Sequence, residues 1–189
     1  MFKTRFISML VLLMTAVTGA WADGIVCTAS DLGKVLCTDG SIYENVSAAT
    51  TAGKTAAAVI AYVDETNKNG LAIALADEGS MNWSTAKSTC EGKTAIAGAK
   101  WCLPSQEQWK QMFKANGGNE GSYAGLNATI TTAGGTALPW EPAADYWSSS
   151  EYNPGVYAYQ VLLDEGAANW GKGSEGEGNV KQVRACLAF

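Results

Sequence analysis

The residues of this sequence best equipped for chemistry are its five cysteines, Cys27, Cys37, Cys90, Cys102 and Cys186, and no histidine accompanies them. Without an imidazole, a Ser-His-Asp triad, a Cys-His pair and any His-ligated zinc site are excluded. No two cysteines stand in a CxxC spacing, so neither a zinc-ligand pattern nor a dithiol redox motif is present, and no thiol pair is recognisable. Five is odd: in a compartment that permits disulfides, at most two bridges form and one thiol is left over.

Other reactive-looking motifs each lack a required residue. "TAGKT" resembles the end of a phosphate-binding loop but has Ala48 where that loop needs glycine. Ser84 and Lys87 form an S-x-x-K without its partner motifs, so helix surface is the expected role. Asn45, Asn82 and Asn127 open N-x-[ST] triplets that carry little weight in a bacterial-looking export context. Arg184 is the one arginine after residue 22 and lies among apolar neighbours. A structural ion pair with an interior carboxylate is expected of it, with Glu151 and Glu107 as the candidates. No metal site and no cofactor are expected.

Several features place these residues outside the cytoplasm. "MFKTR" is a short basic start and "FISMLVLLMTAVTG" an apolar run too short for a membrane span. "AWA" supplies small residues at the two positions a signal peptidase reads, so residues 1–22 are expected to be cleaved as a signal peptide before Asp23. The remaining chain has 11 basic against 18 acidic residues, which argues against nucleic acid or anionic lipid as a partner. It contains no further apolar segment long enough to span a bilayer. A secreted or cell-envelope location follows, in the periplasm or at the cell surface.

The elements that must position the cysteines form an α+β pattern. "GKVLCTDGSIY" predicts a strand and turn, "NVSAATTAGK" a short helix from near Ser47, and "TAAAVIAYVDETNKNGLAIALAD" a hairpin about an Asn-Lys-Asn-Gly turn. In "NWSTAKSTCEG", Trp83, Ala86 and Cys90 share a helical face. "PSQEQWKQMFKANGG" predicts a helix capped by Ser105 with Gln108, with Trp109, Met112 and Phe113 inward. "YAGLNATITTAGG" predicts another with Leu126 and Ile130 inward. "DYWSSS", "VYAYQVLL" and "VKQVRACLAF" predict strands, and "GKGSEGEGN" a flexible hairpin loop.

Taken in order, "NWSTAKSTCEG", "WCLPSQEQWKQMF", "YWSSSE" and "QVRACLAF" resemble the Fibrobacter succinogenes major paralogous domain family. That family is C-type-lectin-like and similar to the variable proteins of diversity-generating retroelements. The likeness spans residues 34–189, after an N-terminal arm at 23–33. It implies a C-type-lectin-like fold with two or three helices, short mostly antiparallel sheets, and first and last strands paired. It also implies a disulfide between Cys90 and Cys186, with Cys37 to Cys102 as a second bridge and Cys27 to Cys37 as a competitor. "EPA" at Glu141–Ala143 is similar to the calcium-and-sugar tripeptide of C-type lectins, but Ala143 offers no ligand oxygen.

The same likeness implies an exported binding domain, adhesin-like or a surface recognition module, with an unknown protein or glycan ligand. In the retroelement proteins sequence variation is written into the C-terminal segment, and the last strand is framework. The alternatives are an enzyme using cysteine oxidation chemistry, as sulfatase modifiers of similar core do, or a structural envelope protein; no enzyme activity is expected. Strand alternation over residues 157–164 sets Tyr157, Tyr159, Val161 and Leu163 on the better core face. Ala158 and the opposite set, Gln160, Leu162 and Asp164, then face outward. The resemblance places that outward set at the ligand site. Tyr152, Asn153, Asn169, Trp170, Lys172, Ser174, Glu175, Asn179 and Lys181 complete the expected surface, with Trp170 as its anchor.

Overall fold

A computed structural model describes residues 24–139 and 144–189; the proposed signal peptide and the Glu141–Ala143 tripeptide lie outside the described residues. The strands are β1 (Val35–Cys37), β2 (Ile42–Tyr43), β3 (Ala56–Asp64), β4 (Asn69–Ala74), β5 (Gly79–Met81), β6 (Lys100–Cys102), β7 (Ala144–Asn153), β8 (Tyr157–Asp164), β9 (Ala167–Ser174), β10 (Lys181–Val183) and β11 (Cys186–Ala188). The helices are α1 (Val46–Thr51), α2 (Trp83–Glu91), α3 (Gln106–Ala115) and α4 (Ala124–Ala133). The chain is thus α+β, with four α-helices among the described residues where two or three were expected.

Local chemistry explains the helix boundaries. Ser105 accepts from the Gln108 backbone N–H at 3.1 Å while the Gln108 side chain accepts from the Ser105 N–H at 2.8 Å, so the expected capping box starts α3. Asn45 and Asn82 cap α1 and α2 through their side-chain oxygens, and the Asn127 side chain accepts from the Leu138 N–H. All three asparagines of the N-x-[ST] triplets therefore have structural work within the fold.

One sheet runs β2-β1-β3-β4-β11-β6 and the other β5-β10-β7-β8-β9, with every pairing antiparallel except β10 with β7. The first and last strands share a sheet but are not paired, because the β3–β4 hairpin lies between β1 and β11. The segment expected as one final strand divides in two. β10 belongs to one sheet and β11 to the other, and Arg184 and Ala185 carry the chain across.

The six-stranded sheet is buried on both faces, and alternation sorts its side chains. Leu36, Ala58, Ile60 and Ala72 pack with Trp83, Ala86 and Cys90 of α2, and with Ile25 and Cys27 of the N-terminal arm. Val35, Val59, Leu71 and Ile73 pack with Trp109, Met112 and Phe113 of α3 and Leu126 and Ile130 of α4. The arm is thus part of the core. The second sheet contributes to both clusters, Trp147, Ala158 and Val183 to the first and Tyr146, Val161 and Leu163 to the second.

The chain ends on a residue with a defined place. Phe189 and Gly70 exchange backbone hydrogen bonds of 3.1 and 2.7 Å, and a Cβ on Gly70 would lie 2.7 Å from the Phe189 ring. Glycine is needed there because backbone and ring approach so closely.

Candidate functional site

Arg184, where the chain changes sheets, is fully buried, and its partner is neither Glu151 nor Glu107. Its Nε donates to Asp77, and its terminal nitrogens donate to the carbonyls of Ala74 at 3.1 Å and Thr136 at 3.2 Å. The Tyr146 hydroxyl donates to the other Asp77 oxygen at 2.8 Å, and burial followed by the Asp77 charge pushes its phenol well above the ordinary range. Glu151 is exposed on β7, beyond this network. Arg184 forms a buried ion pair, but its counter-ion is Asp77 in the loop between β4 and β5 and not the expected Glu151.

The cysteines are arranged differently from the implied pairings. Cys186 stands opposite Cys102 in the β11–β6 register, with sulfurs 3.5 Å apart. Cys90 is buried with Trp83, Ala86 and Leu187 in the cluster under α2, whereas Cys186 lies opposite Ile73, which belongs to the other cluster, and its sulfur partner is Cys102. Cys37 cannot reach Cys102: β1 and β6 stand four strand spacings apart, roughly 19 Å, well outside disulfide range. Burial pushes the Cys27 and Cys90 thiols up to about 12, with help from Asp31 at Cys27 and Glu78 at Cys90. A hydrogen bond from the Cys186 thiol holds Cys102 below the ordinary thiol value against the effect of burial.

The other motifs are accounted for by packing. The Lys87 ammonium lies 4.3 Å from the Trp83 ring centre, and Ser84 bonds to the capping Asn82, so the S-x-x-K is helix surface. Lys54 of "TAGKT" pairs with Asp39 at 2.7 Å. A cleft of about 480 Å³ is lined in part by Ala57, Ala74, Asp77, Glu78, Lys93 and Trp101. Its charged groups are already engaged, Asp77 with Arg184 and Glu78 with Lys93.

Strands β7, β8 and β9 present a different kind of surface. Opposed residues share a face. Tyr157, Tyr159, Val161 and Leu163 therefore lie beside Ser174, Lys172, Trp170 and Ala168. At the Leu163 end this face is covered by α3 and α4. At the Tyr157 end it is open, and Tyr157 is 37% exposed. Extra residues in β7 between Trp147 and Glu151 shift its register, so that Tyr152, 51% exposed, meets Tyr159 edge-on with ring centres 5.5 Å apart. The Lys172 ammonium sits 4.6 Å from the Tyr152 ring centre and 5.5 Å from that of Tyr157. Tyr152, Tyr159, Trp170, Gly171 and Lys172 line a shallow cleft of about 360 Å³.

The expected surface is therefore split. Tyr152, Trp170, Lys172 and Ser174 fall on the open aromatic face, whereas Gln160, Leu162, Asp164 and Asn169 fall on the opposite one. Gln160 is buried, contrary to expectation, because it lies over Gly171 and Gly173 and donates to Asp145 at 3.2 Å. Lys181 joins the same carboxylate at 3.0 Å. Ala158, also expected outside, is buried beneath the same sheet face. Asn153 is the exposed last residue of β7, paired with Tyr157, and Asn179 bonds back to the Ser174 carbonyl at 2.8 Å. Burial and then Glu151 raise the carboxyl of Glu175. Trp170 is half-buried, packing against the helical cluster while it lines the cleft.

Tyr157 and Tyr159, assigned to the core by alternation, are the functional candidates that sequence reasoning missed. The available signal was their place: "YNPGVYAY" puts three tyrosines around a Pro-Gly turn. No family model matches the chain, and no curated protein matches it.

Proposed function

We propose that this protein is an exported recognition domain of C-type-lectin-like fold that binds a protein or glycan ligand through the open face of β7, β8 and β9. One observation carries the reading. Tyr152, Tyr157, Tyr159 and Lys172 gather at a solvent-facing sheet end, outside both hydrophobic clusters of the described residues. Rigid tyrosines with a nearby half-buried tryptophan offer large contact area at low entropic cost, and aromatics dominate binding hot spots. The lysine supplies a cation held over two rings, suited to an acidic or hydroxyl-rich partner.

The framework fits this division of labour. Phe189 and Arg184 close the fold, while the residues from Tyr152 to Ser174 that face solvent can change without disturbing either. A C-terminal surface of that kind could accept the diversification that the retroelement likeness implies.

The enzyme reading has one observation in its favour, the opposed thiols of Cys102 and Cys186. Cys186 is completely buried, so only Cys102 could meet a substrate, and the aromatic face stands apart from both on the other sheet. Glycan and protein arrays probed with the purified protein test the proposal. Reproducible ligands are expected; a protein that binds neither array above background, while turning over a thiol substrate, would overturn it.

A further inference from the structure

We propose that Cys102 and Cys186 are an oxidisable pair that closes into a cross-strand disulfide, with Cys102 as the entry thiol for a disulfide-bearing oxidant. The inference is independent of the ligand-binding face.

Geometry makes the pair ready to close. The two residues are directly opposed in antiparallel strands. Such partners have Cα separations of about 4.5–5.5 Å, inside the range that disulfides span without backbone movement. The sulfurs already touch at 3.5 Å, so a small rotation of the side chains brings them to bonding distance. The two sulfurs differ in access. Cys186 is fully buried in the last strand, whereas Cys102 is partly exposed on β6, the edge strand of its sheet. The two thiols share one hydrogen bond across 3.5 Å, and with the Cys186 thiol as its donor the Cys102 sulfur is favoured as thiolate, held below the ordinary thiol value.

The reaction balances as two exchanges. The Cys102 thiolate attacks one sulfur of the incoming disulfide, forming a mixed disulfide and releasing the first thiolate. Cys186, deprotonated as that step's leaving group takes up a proton, then attacks the Cys102 sulfur and releases the second. Two cysteine thiols are oxidised, one external disulfide is reduced, and two external thiols carry away both protons. The bond ties the chain's last strand to β6 across a separation of 84 residues.

The test is to incubate the reduced protein with oxidised glutathione, quench with acid, alkylate, denature and digest with trypsin. Cys102 then falls in WCLPSQEQWK, Cys186 in ACLAF and Cys90 in STCEGK. The expected end point is WCLPSQEQWK joined to ACLAF, with the intact protein lighter by two hydrogens. At early times glutathione should be found on WCLPSQEQWK, and thermal unfolding of the end product should shift upward. Linkage of ACLAF to STCEGK, a first adduct on either of those peptides, or full alkylation of Cys102 and Cys186 after prolonged oxidation would each overturn the proposal.

Discussion

Asp77 accepts a hydrogen bond from the fully buried guanidinium of Arg184 across 107 residues of sequence, exactly where the chain passes from one sheet to the other. Removing one partner of a buried pair leaves the other uncompensated, which costs about 3–5 kcal/mol. Asp77→Ala should lose that much in urea unfolding. Glu151→Ala, at the exposed partner first expected, should stay within about 0.5 kcal/mol of the parent. Equal losses from the two variants would refute the assignment.

The six-membered ring of Trp147 packs against the backbone of β9: a Cβ on Gly173 would sit 2.6 Å from its ring and 2.7 Å from Gln160 Oε1. Gly173→Ala should therefore destabilise by about 1–3 kcal/mol as the indole is pushed aside. Gly178→Ala, in the following loop with nothing within 4 Å, is the control and should be close to neutral. Denaturant midpoints of the two variants make the comparison.

Burial raises the Cys27 and Cys90 thiols from 9.0 to about 12. A raised folded value stabilises the protein fully below the unfolded value, and that contribution is lost as pH climbs through the folded one. Stability should fall progressively between about pH 9 and pH 12, with Tyr146 adding in the same direction. Alkylation should follow the same logic: in the native, reduced protein Cys102 reacts first, and Cys27 and Cys90 only on unfolding. Urea titrations across this range and mass mapping of iodoacetamide adducts check both halves.

The elements visible in the sequence were those whose signals are local. The Ser105–Gln108 capping box, the helical stripe of Trp109, Met112 and Phe113, and the hairpin about Asn67–Gly70 all appear where periodicity and turn chemistry put them. What stayed hidden depends on neighbours distant in sequence. Alternation sorted β8 into two faces, but which part of each face is covered depends on where α3 and α4 end and where Trp147 lies. Tyr159 and Gln160 exchanged roles for that reason. β9 was missed because its glycines, which admit Trp147 and Gln160 against the backbone, resemble a loop in composition. The partners of Arg184 and Cys186 follow from strand order, which no local pattern encodes.

The central claim is that recognition occurs on the face bearing Tyr152, Tyr159 and Lys172. The direct measurement is the dissociation constant for an array-identified ligand, compared between variants of the two faces of the same strands. Tyr152→Ala and Lys172→Ala should each weaken binding about tenfold or more, the scale of a hot-spot truncation, with unfolding midpoints unchanged. Leu162→Ala and Asp164→Ala, on the opposite face, should bind as the parent does. Loss of binding in the second pair with full affinity in the first would contradict the account.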